Sequence, residues 1–345
     1  MSRAFITGLA GLTLTADERA FLRAAEPWGV ILFKRNVEDP GQVRRLVAEA
    51  REALGQADAP VLVDQEGGRV QRLGPPHWPA YPPGAAYGRL YDEDPPIGLR
   101  AAQLGGRLIA ADLHRLGIEV DCLPLGDVPV AGADSIIGDR AYGDTPSKVA
   151  AIAAALTEGL LQGGVLPVLK HLPGHGRANA DSHKRLPVVT TDRATLDATD
   201  FAAFRALKDL PLGMTAHVVF TACDPDAPAT ASRIMIEQVI RGSIGFSGAL
   251  MSDDISMGAL SGTLAERTRA ALAAGCDLVL HCNGQLDEMQ AVAEATPPLA
   301  GAASRRAAAA LAARRPPTDI DERAARAELA ELMARPAAGA QVLVS

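Results

Sequence analysis

No stretch of this chain approaches the roughly 20 consecutive apolar residues that a membrane-crossing helix requires, so no membrane span is expected. Basic residues hold no majority: 34 Lys and Arg stand against 41 Asp and Glu, a formal net charge of −7, with no basic block. That balance argues against a nucleic-acid surface and leaves a neutral or anionic small molecule as the ligand to expect. Cysteine is scarce. Cys122, Cys223, Cys276 and Cys282 form no CxxC pair and are too sparse for a disulfide scaffold, so they read as reduced, mostly buried thiols of a cytoplasmic protein. Compact metal-ligand sets such as HxH or HExxH are missing, and neither a metal nor another cofactor is expected. No GxGxxG opens the first helix, which disfavours a doubly wound dinucleotide-binding sheet. Neither an internal repeat nor a linker divides the chain, and a monomer of one catalytic domain over 1–345 is expected.

What is present is alternation. Short β-branched or Leu-rich runs, at Phe5–Ala10, Gly29–Phe33, Val61–Asp64, Glu119–Pro124, Val165–His171, Gly213–Phe220, Ala249–Asp253 and Asp277–His281, read as strands. Helical patterns fall between most of them, at Pro40–Leu54, Ile97–Leu116, Ser147–Gly163, Ala194–Lys208, Thr230–Ile240 and Thr263–Ala274. Eight strand–helix alternations point to an α/β fold, a single (β/α)8 barrel of the TIM type over about 1–300. Active-site residues are then expected just beyond the strands' C-terminal ends. The Ala/Arg-rich tail, 301–345, reads as one or two helices packed outside the barrel. The apolar segment after Arg3 resembles a secretory signal, but Gly8 and Gly11 interrupt it and it runs straight into Thr15-Ala16-Asp17-Glu18-Arg19, so a core strand is expected there.

Three segments carry chemistry. In Lys170-His171-Leu172-Pro173-Gly174-His175-Gly176, followed by Asp181-Ser182-His183, a strand end delivers a Lys-His pair and a Gly/Pro-rich loop delivers an Asp two residues before a His. Asp181 can hold one ring nitrogen of His183 and leave the other free for proton transfer. In the second segment, Asp64 ends a buried strand, and Arg69 and Arg72 follow; an Asp and an Arg converging at a barrel mouth suit vicinal sugar hydroxyls. Glu66 reads as an ion pair that ties this loop down. In the third, Asp253 and Asp254 end a strand, and alternation sends only one of them into the site while the other braces the loop. His175 reads as a loop brace, and His217 as either a packing residue or a substrate contact.

The motifs VDQEGGRVQRL, IGDRAYG, KHLPGHGRANADSHKRLP and MSDDISM resemble those of glycoside hydrolase family 3, in particular its single-domain bacterial β-N-acetylglucosaminidases of peptidoglycan recycling. The resemblance runs from about Gly29 to Gly284, with Leu172 where Phe is common. It implies Asp253 as nucleophile, His183 as acid/base with Asp181 as its partner, and Asp64, Arg72, Arg140, Lys170 and His171 as sugar-binding residues. The substrate implied is a muropeptide or chito-type sugar.

The chemistry stands beside the name. A retaining glycosidase needs one group to attack the anomeric carbon and a second to protonate the leaving oxygen and then deprotonate water. An imidazole, with an unperturbed pKa near 6.5, does both around neutral pH. On its long loop, His183 could swing into place when sugar binds. Alternatives remain at this stage: a β-glucosidase or β-xylosidase, a phosphorylase whose neutral His does not repel phosphate, a sugar-binding module without turnover, and a zinc hydrolase using His171, His175 and Asp181.

Overall fold

The computed structural model describes residues 2–335, so the end of the expected tail, 336–345, lies outside the described residues. Eight parallel strands close a barrel: β1 Arg3–Gly8, β2 Pro27–Leu32, β3 Val61–Val63, β4 Val120–Asp121, β5 Leu166–Leu172, β6 Leu212–Thr215, β7 Ala249–Asp254 and β8 Leu278–His281. Each pairs with its neighbours in chain order, and β8 closes onto β1 with Phe5 opposite Val279. The segment after Arg3 is thus the first barrel strand.

Alternation along each strand sorts two cores. Ile6, Leu62, Val120, Val168, Met214, Met251 and Leu280 fill the lumen, where Ala307 and Ala310 of the first tail helix close the floor. Their strand neighbours Phe5, Val61, Val63, Leu169, Leu250 and Val279 face outward and pack under the helices. Those helices are cut by local signals. Thr15 and Glu18 form a reciprocal capping box on Ala16–Ala25, and Asp39 caps Pro40–Leu54. The tail supplies two helices, Gly301–Ala312 and Glu322–Met333.

The structure corrects several boundaries. The strand expected over Gly213–Phe220 leaves the barrel after Thr215, and Val219–Phe220 pairs instead with Val188–Val189. The helix expected over Ala194–Lys208 is two, Arg193–Ala198 and Asp200–Ala206, broken where Thr199 turns to let Asp200 meet Arg177 at 2.6 Å. The helix expected over Thr230–Ile240 is a 3-10 turn, Ala229–Ala231, followed by a helix that Ser232 caps through the Met235 N–H and that is π-type over Met235–Ile244. Helices Gly84–Glu93 and Leu286–Ala295 were not anticipated.

Candidate active site

Parity carries the lumen's inward direction to the barrel mouth. Two residues beyond inward Leu62 stands Asp64, two beyond Val168 stands Lys170, and two beyond Met251 stands Asp253. Strand β5 also carries an extra residue relative to β6, since Leu169 opposes Gly213 but Leu172 opposes Thr215. This bulge lets consecutive Lys170 and His171 both line the mouth.

A charged cluster forms one wall. Lys170 Nζ lies 2.9 Å from Asp64 Oδ1 and 2.6 Å from Glu66 Oε1, and Arg72 Nη2 donates to Asp64 Oδ2 at 3.0 Å. Arg140 grips Glu66 with two parallel bonds of 2.8 Å. Burial opposes ionisation of Asp64 and Glu66, but the Lys170 ammonium and the adjacent guanidinium outweigh it and hold both carboxyls below their usual values. Arg72 also stacks on the Phe33 ring, 5.3 Å from its centre. Arg69 instead ties two loops together through Asp139 and the carbonyls of Ser135 and Ile136.

Asp127 organises the neighbouring wall, and the sequence reading missed it. Its Oδ2 is 2.7 Å from His171 Nδ1, while Oδ1 accepts the backbone N–H groups of His171 (3.3 Å) and His175 (2.6 Å). Burial pushes its carboxyl up, but His171 and these donors bring it below its usual value, so it stays an acceptor and His171 Nδ1 carries the proton. His171 Nε2 is left for the cavity. The signal that could have found Asp127 is its place in the loop that follows β4 at the barrel's C-terminal face. His175 Nε2 meets Ser182 Oγ at 3.1 Å, and burial pushes the His175 ring down to about 4.

Of the paired carboxylates on β7, Asp254 is the brace: it accepts from Ser256 N–H (3.0 Å), Ser256 Oγ (2.6 Å) and Cys282 N–H (3.2 Å). Asp253 faces the cavity and accepts the Asp254 N–H at 2.8 Å. Burial raises its carboxyl, yet His217 and His171 hold it below its usual value. His217 is fully buried between Thr230 Oγ1 (2.7 Å) and the Asp254 carbonyl (2.9 Å). Only a proton on Nε2 satisfies that carbonyl, so His217 is a packed support and not a substrate contact.

Across the opening, His183 Nδ1 sits 2.8 Å from Asp181 Oδ1, with the His183 ring 63% exposed and Asp181 19%. The cavity that these groups share holds about 250 Å³ and is lined by Asp64, Arg72, Arg140, Lys170, His171, His183, Asp253 and Asp254, with Phe33, Ile136, Met214, Met257 and Leu280 supplying apolar surface. Both carboxylates of the pair border it, not one as alternation predicts, because β7 carries an extra residue relative to β8 between Met251 and Asp254. Asp181 stands behind His183 and is outside that lining. His171, His175 and Asp181 each point to a separate partner, so they do not form a ligand set, and no group of three His, Cys, Asp or Glu suited to a metal ion occurs among the described residues. Nor is any helix of the described residues long and apolar enough to cross a membrane.

A closed barrel with carboxylates, cations and a histidine pair gathered at its C-terminal mouth defines a carbohydrate-active site, and the family match is direct. Residues 8–309 match the glycosyl hydrolase family 3 N-terminal domain, and the chain belongs to that family. It is a glycoside hydrolase and not a binding module. Among its relatives is a β-hexosaminidase of Alkalilimnicola ehrlichii, 41% identical over 282 residues, 80% of this chain and 79% of the other. Among solved structures, native NagZ from Neisseria gonorrhoeae superposes with a TM-score of 0.87 at 31% identity, covering 97% of this chain and 98% of that one. The same protein in complex with N-trifluoroacetyl-D-glucosamine gives a TM-score of 0.81 at 32% identity, covering 96% and 98%.

Proposed function

We propose that this hydrolase is a retaining β-N-acetylglucosaminidase that removes terminal, non-reducing N-acetylglucosamine from peptidoglycan fragments such as GlcNAc-1,6-anhydroMurNAc, with or without attached peptide. In this reading Asp253 attacks the anomeric carbon and forms a covalent glycosyl ester, while His183 gives its proton to the leaving oxygen. Water then attacks the ester as His183 takes a proton back and Asp253 departs. Asp181 holds the ring and balances the imidazolium. Asp64, Lys170, Arg72 and His171 bind the sugar hydroxyls, and Arg140 serves the same cluster through Glu66.

One observation carries the reading. Of the carboxylates that line the cavity, Asp64 and Asp254 have both oxygens engaged, whereas Asp253 accepts one backbone N–H and keeps an oxygen uncommitted. A relative's complex with an N-acylated glucosamine supports the choice of sugar. The four free cysteines fit a reducing, cytoplasmic setting, and the proposal is of a monomer. The test is to incubate the protein with an aryl β-N-acetylglucosaminide and the matching β-glucoside, with and without phosphate, and to identify the released sugar. Free N-acetylglucosamine under both conditions is the expected product. A sugar 1-phosphate identifies a phosphorylase instead, and preference for the glucoside overturns the sugar assignment.

A further inference from the structure

The loop that carries His183 is exposed at its tip but anchored beside it. His183 is 63% exposed, whereas its neighbour Ser182 is 2% exposed. Ser182 Oγ meets His175 Nε2 at 3.1 Å, and His175 in turn gives its backbone N–H to Asp127 at 2.6 Å, the same carboxylate that holds the His171 ring. On the other side, the turn after Asp253 is stitched to the loop's backbone: Gly258 N–H donates to the His183 carbonyl at 3.2 Å and Ala259 N–H to the Ser182 carbonyl at 3.1 Å. A Cβ at residue 258 would fall 2.9 Å from the His183 carbonyl oxygen and 3.1 Å from that of Lys184, so only glycine permits this approach. Arg267 Nη1 fixes the turn itself through the carbonyls of Ile255 (2.9 Å) and Met257 (3.2 Å).

We propose that Ser182 and Gly258 are positioning residues that clasp the loop of His183 onto the turn following Asp253, setting the acid/base against the nucleophile through the Ser182–His175 bond and the loop's backbone. The inference rests on His183 being the acid/base. A side chain on a long loop samples many placements, and a misplacement of about 1 Å lowers rate by up to about a hundredfold. The clasp has two independent halves, one a side-chain bond to the sugar-side wall and one a backbone contact to the nucleophile's turn. Losing either frees the imidazole from its working position while the sugar-binding wall stays intact.

The test compares Ser182→Ala and Gly258→Ala with wild type and His183→Ala on two aryl β-N-acetylglucosaminides, one with a good and one with a poor leaving group. Free N-acetylglucosamine as inhibitor and thermal unfolding serve as controls. Both variants are expected to lose about tenfold or more in kcat on the poor leaving group, with a much smaller loss of kcat/KM on the good one. Inhibition by N-acetylglucosamine should stay within about twofold of wild type, and Ser182→Cys should recover part of the loss. Where Ser182→Ala lowers stability, Gly258→Ala reads the same quantity without removing a side-chain bond. Equal losses on both substrates, or no loss, in variants whose unfolding matches wild type overturns the clasp. Absence of leaving-group dependence in His183→Ala shows that the acid/base assignment has failed, and the clasp falls with it.

Discussion

Asp253 and Asp254 are adjacent carboxylates at the end of β7 that both border the cavity, and their hydrogen bonds tell them apart: Asp254 is tied to Ser256 and Cys282, Asp253 only to one backbone N–H. Asp253→Ala should abolish turnover and leave unfolding nearly unchanged, because it removes a group with one backbone bond. Asp254→Ala should do the reverse, lowering stability by about 1–3 kcal/mol as the donors of Ser256 and Cys282 lose their acceptor, with a smaller effect on rate. Steady-state kinetics and denaturant unfolding of the two variants decide the matter; turnover surviving in Asp253→Ala would reverse the assignment. The placement of Asp64, Lys170 and Asp253 at the barrel mouth was legible because each stands at a strand's C-terminal end. Asp127 was not, since its importance lies in the backbone N–H groups of His171 and His175, whose direction no side-chain pattern reveals. His217 looked ambiguous for the same reason: its partners, Thr230 and the Asp254 carbonyl, come from a turn and from the end of β7, both away from it in the chain.

Elements were easiest to read where one period held throughout. All eight barrel strands lie within the apolar runs expected of them or one or two residues beyond, but β4 and β6 are shorter than their runs, because apolar residues beyond the barrel are buried by loops as well. The long helices Pro95–His114 and Pro146–Gln162 followed from their pattern despite Gly105, Gly106 and Gly159, which intrinsic propensity disfavours. The structure shows their use: the two helices approach so closely that a Cβ on Gly106 would overlap the Leu156 carbonyl, and one on Gly159 the Gln103 carbonyl. Gly106→Ala, a favourable change for an isolated helix, should therefore destabilise the protein by about 1–3 kcal/mol through overpacking. A rise in the thermal unfolding temperature would show that the pair separates without cost. Helix Met235–Ile244 was misplaced because its start depends on Ser232, whose hydroxyl is oriented by Asp224 from outside the segment.

At the scale of the molecule, burial of neutral histidines ties stability to pH. The His175 ring is pushed down to about 4 and His217 is lowered in the same direction, both by burial, so the unfolded chain binds more protons than the native one between about 6.5 and 4. Stability is then full above the unfolded value and declines as pH falls through that window, by about 2 kcal/mol for His175 at pH 5. Urea unfolding at pH 7 and pH 5 should show the decline, and His175→Gln should reduce it; an unchanged pH dependence in that variant would mean the ring is charged in the native state. The barrel was visible from the count and spacing of strands, while for the tail helix Glu322–Met333 the Ala/Arg-rich composition gave only a helix outside the barrel and not its anchor, Arg326 on Asp112 at 2.8 Å. The most direct test of the proposed chemistry is mass spectrometry of the intact and digested protein after reaction with an activated fluorosugar of N-acetylglucosamine. A single added sugar on the peptide containing Asp253, mapped by fragmentation to Asp253 itself, is the expected result; label on Asp254, or no covalent adduct while turnover proceeds, would contradict a glycosyl-Asp253 intermediate.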